Sequence, residues 1–259
     1  MSDTHPFVGE KISYEKGLQF WDDFSEHYSN RQQGDIPRRI VDRLFETGML
    51  TKDCDVLEIG SGPGTYSLEM APHVRSVRCI DSSPRMLRRL MSKASESGIG
   101  NIVPAEADWN SYEDDSEYGC CIATLCPGSG SRESVARMER LSKGSCVLVS
   151  WTCNHGDDLN AQVWKALGKD YGYGFRGSTE VQDRLSSEGR DVKVELFQTD
   201  IEMDIPVEEL VAKEVSSFKA YGNDVDVSDI VRSILEPDAD DGIIHFKATN
   251  EMKLIYWAV

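Results

Sequence analysis

Positive charge is scarce in this chain: 28 Lys and Arg stand against 45 Asp and Glu, a formal charge of −17 at pH 7 over 259 residues. Phosphate backbones and anionic lipid surfaces recruit local Lys/Arg excess, so this balance argues against nucleic acid and membranes as partners. No run of about 18 apolar residues occurs, and no membrane-spanning helix is expected. Met1 to Glu10 has no apolar core of the kind a secretory leader needs, so none is expected there. The seven cysteines are odd in number and contain no C-x-x-C pair, which gives neither a disulfide framework nor a zinc knuckle. These absences point to a reducing, cytoplasmic setting. They leave the oligomeric state open, a dimer included.

What is present fits one α/β domain. At 39% hydrophobic residues the chain can bury a sizeable core. Leu18, Trp21, Phe24 and Tyr28 recur at helical steps, as do Ile40, Leu44 and Phe45 after Pro37, so 1–50 reads as a helical cover. From there short apolar strands alternate with helices: strands at Asp55–Ile59, Val74–Ile80, Asn101–Ala105, Tyr118–Leu125 and Ser145–Trp151, with helices after the first, second and fourth. Such alternation predicts a doubly wound, mostly parallel sheet. In 156–259 the pattern predicts a strand over Val192–Ile205 and a helical insertion at 207–236. A last strand is read at Lys253–Val259, paired with Ile243–Ala248; the sheet is expected to be seven-stranded with an antiparallel last strand. The core for ligand binding falls at 51–155. Gly172 to Gly177 reads as a connection between helices.

The informative stretch is Val56-Leu-Glu-Ile-Gly-Ser-Gly-Pro-Gly-Thr, between the first strand and the first helix of the sheet. In doubly wound sheets ligands bind beyond the carboxyl ends of the strands, and glycines there let the backbone pass close beneath them. The dinucleotide spacing G-x-G-x-x-G fails, because Thr65 stands where its last glycine belongs. A P-loop fails as well, since no lysine occurs between Cys54 and Lys93. Phosphate binders are therefore disfavoured. Asp81, at the end of the second strand, is an acceptor-only carboxylate suited to a pair of ribose hydroxyls. Its competing role is to cap the helix that Ser83 and Pro84 open.

The E-x-G-x-G-x-G form, with Glu58 two residues before Gly60, resembles motif I of class I S-adenosylmethionine-dependent methyltransferases. Asp81 and the Ala107-Asp108-Trp109 segment match that family's next two acidic elements. The resemblance is specific over Asp55 to Trp151. It implies S-adenosyl-L-methionine as cofactor and S-adenosyl-L-homocysteine as product. The implied binding residues are Glu58, Gly60, Ser61, Gly62, Gly64, Asp81, Ser82, Met86, Ala107, Asp108, Trp109 and Leu125. Asp108 would accept from the adenine amino group, with Trp109 and Met86 flanking the ring. The segment from Phe20 to Tyr28 resembles the family's pre-motif helix, which brings Tyr28 and Trp21 to the methionine end. After the fourth strand the chain reads Thr124-Leu-Cys-Pro-Gly, without the D/N-P-P-Y tetrad of base-directed amino methyltransferases, which counts against a flipped base as acceptor.

The acceptor side is expected just past the fourth and fifth strands, among Cys126, Cys153, His155, Asp157 and Asp158. Their spacing matches no zinc signature, and no metal is expected. His155 is the candidate general base or substrate ligand. Together these features predict a methyltransferase acting on a small-molecule acceptor, with a lid from the N-terminal and Val207–Leu235 helices. The rival readings are a protein or RNA methyltransferase, a cofactor-binding sensor without catalysis, and, weakest, a nicotinamide oxidoreductase.

Overall fold

The computed structural model of the protein describes residues 14–26, 28, 33–127, 129–155, 159–168, 177–220 and 225–259. Two helices come first, α1 (Tyr14–Phe24) and α2 (Ile36–Glu46). In α2, Pro37 occupies the first turn and Ile36, Ile40, Val41 and Leu44 form the buried stripe. β1 (Asp55–Ile59) is buried beyond its first residue, as a central strand covered on both faces must be. There follow α3 (Ser67–Met70), β2 (Ser76–Asp81), α4 (Pro84–Glu96), β3 (Ile102–Glu106), β4 (Tyr118–Thr124) and α5 (Arg132–Leu141). The helix starts are chemically marked. Ser83 Oγ accepts from Met86 N at 3.1 Å at the head of α4, and Ser131 Oγ accepts from Ser134 N at 3.1 Å at the head of α5.

The second half contains β5 (Ser142–His155), α6 (Leu159–Ala166), α7 (Gly177–Ser187), β6 (Lys193–Pro206), α8 (Val207–Ala220), α9 (Ser228–Leu235) and β7 (Ile243–Ala258). The sheet order is β3-β2-β1-β4-β5-β7-β6, and β7 alone runs against both of its neighbours. The seven-stranded, mostly parallel sheet with an antiparallel last strand is therefore as the sequence predicts. Two boundaries are not. Ile243–Ala248 and Lys253–Val259 do not pair with each other but belong to one continuous strand. Asn250 and Glu251, which look like a break, pair with Thr199 and Gln198 of β6 on one side and with Asn154 and Cys153 of β5 on the other. Two ladders outweigh their weak strand preference. For the same reason β5 runs on past Trp151, and His155 pairs with Thr249 rather than lying in a loop.

Alternate strand residues feed opposite faces of the sheet. Val56, Ile122 and Val147 pack with α2 and α4, while Leu57, Ala123 and Leu148 pack with Val135 and Met138 of α5. The cap has its own apolar cluster, in which Val163 and Trp164 of α6, Leu210 and Phe218 of α8 and Val231 of α9 meet. α1 packs against both α8 and α4, so it bridges cap and sheet. Among the described residues no helix is long and apolar enough to cross a membrane. The glycine-rich stretch from Gly172 lies outside the described residues up to Arg176.

Candidate cofactor site

The site forms where β1 ends, flanked by β2 on one side and β4 on the other, which is the topological switch point of the sheet. The chain leaves β1 in a turn tied to its neighbour: Gly60 N and Ser61 N both donate to Ile80 O, at 2.8 and 3.0 Å. Gly60, Gly62 and Gly64 all have positive φ, but for different surroundings. A Cβ at Gly60 would lie 2.6 Å from Cys126 Sγ, and one at Gly64 would lie 2.2 Å from Leu90 Cδ1. These two glycines answer to the protein's own packing. At Gly62 a Cβ would meet nothing within 4 Å, so this residue alone of the three faces open space.

Asp81 holds that turn in place. One carboxylate oxygen accepts from Gly62 N at 2.8 Å and the other from Ser83 N at 2.8 Å. An ionised carboxylate has about four lone-pair positions, so two remain for a ligand's hydroxyls. The cap of α4 is Ser83 and not Asp81, which instead braces the turn before that helix and keeps acceptor capacity. Burial, with Asp22 nearby, pushes its carboxyl up to about 6.

Glu58 lies deeper and is fully buried. Ser67 Oγ donates to one of its oxygens, and Thr124 Oγ1 donates to the other at 2.9 Å. Burial pushes its carboxyl up to about 7, against the pull of those hydroxyls. Glu58 thus has each of its oxygens engaged by a hydroxyl of the protein itself. It ties β1, α3 and β4 together beneath the glycine turn.

The remaining candidates surround this centre. Ala107 N donates to Asp81 O at 3.1 Å, which sets the 107–109 segment beside the second strand. Asp108 Oδ1 accepts from Asn110 N at 3.0 Å, and the residue is half-buried, as is Ser82. Met86 and Trp109 are buried. Trp109 is committed to the protein's own packing: Nε1 donates to Ser134 Oγ at 2.7 Å, the Arg137 guanidinium sits 5.3 Å from its ring, and Tyr112 stacks on it at 6.2 Å. Leu125, directly after β4, has φ +54°, held by its N–H donating to Val149 O at 2.9 Å. A bulky residue there costs on the order of 1–3 kcal/mol, and such outliers gather at functional sites.

Tyr28 covers the turn from the N-terminal side. Its phenol accepts from Gln33 Nε2 at 3.2 Å, and burial raises its pKa. Trp21 lies on α1 edge-on to Phe20 and Phe24. Asp22, also on α1, accepts from Ser83 Oγ at 2.5 Å and from Arg85 N at 3.3 Å, and so pins the helix to the head of α4. Gln33, Asp22, Thr65, Ser67 and Thr124 were not singled out from sequence. Lone polar residues carry no spacing signature that would mark them.

Of the acceptor-side group, Cys126 is half-buried, and burial pushes its thiol up to about 12, which keeps it protonated. The side chains of Cys153 and His155, and Asp157 and Asp158 entirely, lie outside the described residues. No metal-binding cluster occurs among the described residues.

Fold and site define a Rossmann-like protein whose switch point suits a hydroxyl-bearing ligand; two carboxylates make it a poor phosphate cradle. The chain matches the methyltransferase domain family over residues 56–143. It is 22% identical over 147 residues to the 23S rRNA (uracil(1939)-C(5))-methyltransferase RlmD of Francisella tularensis, a match that takes in 54% of this chain and 32% of that one. It is 36% identical over 76 residues to an rRNA adenine N-6-methyltransferase of Saccharopolyspora erythraea, covering 29% and 19%. The chain therefore spans about a third or less of these relatives' length. A solved methyltransferase from Thiobacillus denitrificans, crystallised with S-adenosyl-L-homocysteine, superposes with a TM-score of 0.56 at 14% identity, over 96% of this chain and 99% of that one. The fold is that of Rossmann-like S-adenosylmethionine-dependent methyltransferases, and residues 56–143 match a methyltransferase-domain family. Because two relatives carry rRNA names, the exclusion of nucleic acid drawn from net charge does not stand on the comparisons.

Proposed function

We propose that the chain is a cytoplasmic, single-domain S-adenosylmethionine-dependent methyltransferase with a small-molecule acceptor. The observation that carries this is Asp81 holding the N–H of Gly62, the one glycine of the turn that faces open space. The bound cofactor supplies an electrophilic methyl on a sulfonium. Asp81 accepts from the ribose hydroxyls, Asp108 from the adenine amino group, and Tyr28 closes over the methionine end. Glu58 acts through Ser67 and Thr124, which fix the turn's foundation. Much of the acceleration in such an in-line displacement comes from positioning. Where the acceptor arrives protonated, His155, at the end of β5, takes that proton.

The small-molecule reading is supported by the charge of −17 and by the helical cap of α1, α6, α8 and α9. The names of the rRNA-directed relatives favour RNA as the second reading. Incubating the protein with methyl-labelled cofactor and separated fractions of cell extract distinguishes them. Label in the low-molecular-weight fraction is expected; label confined to RNA overturns the acceptor assignment.

A further inference from the structure

Gln33 is almost fully buried, at 3% exposed. Its Nε2 donates to Tyr28 Oη at 3.2 Å, but its Oε1 is buried with no hydrogen-bond partner among the described residues. Folded proteins rarely leave a buried amide oxygen without a donor, so the missing donor calls for an explanation.

The side chain is not free to swing out and find water. Gly34, next in sequence, has φ +52°, and a Cβ there would lie 2.9 Å from Thr199 Oγ1, so the turn is pressed against β6. Further along the same side Ile36 is fully buried, and Arg39 donates to Gln198 O of β6 at 2.8 Å. The chain following Gln33 is thus held on β6, while the Gln33 side chain meets Tyr28. Tyr28 in turn lies near Thr65, the residue directly after Gly64, whose Oγ1 is buried without a hydrogen-bond partner. Ser61 Oγ, within the same glycine turn, is also buried without a partner.

The group that completes this arrangement must donate hydrogen bonds. Asp81, whose carboxylate holds the same glycine turn through Gly62 N, makes a positive donor the best match. Of the two charged ends of an amino acid, only the ammonium is both a donor and a cation. We propose that Gln33 Oε1 accepts a hydrogen bond from the α-ammonium group of the cofactor's methionine end, an assignment that rests on the S-adenosylmethionine reading above. Gln33 is then a binding residue that selects a ligand with a free amino acid terminus over a bare adenosyl thioether.

The test uses the intact protein and three probes in a titration calorimeter: S-adenosyl-L-homocysteine, its decarboxylated analogue and its deaminated analogue. Gln33→Leu is expected to weaken the first two by about tenfold or more, the loss of one hydrogen bond to a charged group. It should leave the deaminated analogue unchanged, which also shows that the variant is folded. Gln33→Glu, which keeps an acceptor at that position, should recover most of the loss. An equal loss for all three probes, a loss that follows the carboxylate instead, or no loss at all overturns the assignment. Should the wild-type protein bind none of the three, the cofactor reading itself fails and takes this proposal with it.

Discussion

The cofactor half of the molecule, from β1 to β4, and the cap built from α1, α6, α8 and α9 are held together by different physics. In the cofactor half the site is wired by hydrogen bonds between side chains and backbone: Asp81 to Gly62 and Ser83, Ser83 to Met86, Glu58 to Ser67 and Thr124. Each of these needs a particular residue at a particular place. The cap coheres through an apolar cluster, Val163, Trp164, Leu210, Phe218 and Val231, for which volume matters more than identity. Substitutions in the first half should therefore act on cofactor affinity, and substitutions in the second on stability and access.

The largest effect is expected at Gly62. Gly62→Val places a branched side chain in the open space above the turn and at φ +53°. Loss of S-adenosyl-L-homocysteine binding by about a hundredfold or more is expected, read by calorimetry, with the fold retained by circular dichroism. Gly64→Ala sharpens the contrast. Its Cβ runs into Leu90, so it should lower the melting temperature, with overpacking of about 1–3 kcal/mol. If Gly64→Ala instead behaves like Gly62→Val, the division of roles within the turn is wrong.

His155→Ala is expected to reduce turnover of the identified acceptor by about 10²-fold while cofactor affinity stays intact. A wild-type rate would make catalysis a matter of positioning alone.

Glu58 gives a smaller effect with a definite sign. Its carboxyl titrates at about 7 in the folded chain against an ordinary value of 4.5, so the folded state holds the proton more tightly. Stability is therefore lost as pH rises from about 4.5 through 7. Glu58→Gln removes the buried charge, so the ligand-free variant should melt several degrees above wild type at pH 8, with the gain shrinking as pH falls from about 7 to 4.5. A pH-independent difference would contradict the assignment.

The smallest effect belongs to the link between the halves. Asp22→Ala removes the contacts to Ser83 and Arg85 that pin α1 to α4. A severalfold faster release of S-adenosyl-L-homocysteine in stopped flow is expected, with the melting temperature nearly unchanged. An unchanged release rate would mean that α1 does not gate the site.

The same contrast decides how much could be read from sequence. The turn from Gly60 to Gly64, Asp81 and the Ser83-Pro84 helix start are legible because glycine spacing, a strand-end carboxylate and a capping serine each have a local chemical signature. The reasons for the glycines were only partly legible: Cys126 and Leu90, which dictate Gly60 and Gly64, arrive from the segment after β4 and from α4. The extension of β5 to His155 and the unbroken β7 could not be read locally, because pairing with neighbours overrides the polar Asn250 and Glu251. Gln33 was invisible for the same reason. Its burial is made by β6 and Tyr28, from far and near in the chain, and no spacing announces it.

The central claim is that Asp81 and the turn it holds form an S-adenosylmethionine site, and titrating S-adenosyl-L-homocysteine into wild type and Asp81→Ala tests it most directly. Wild type should bind in the micromolar range, roughly −8 kcal/mol, and Asp81→Ala at least tenfold more weakly at pH 8. Because the Asp81 carboxyl titrates at about 6, its acceptor form is lost as pH falls. Wild-type affinity should then drop about tenfold between pH 8 and pH 5, a dependence the variant lacks. An unchanged affinity in a folded Asp81→Ala protein, or tighter binding of a nicotinamide dinucleotide than of S-adenosyl-L-homocysteine, would contradict the account.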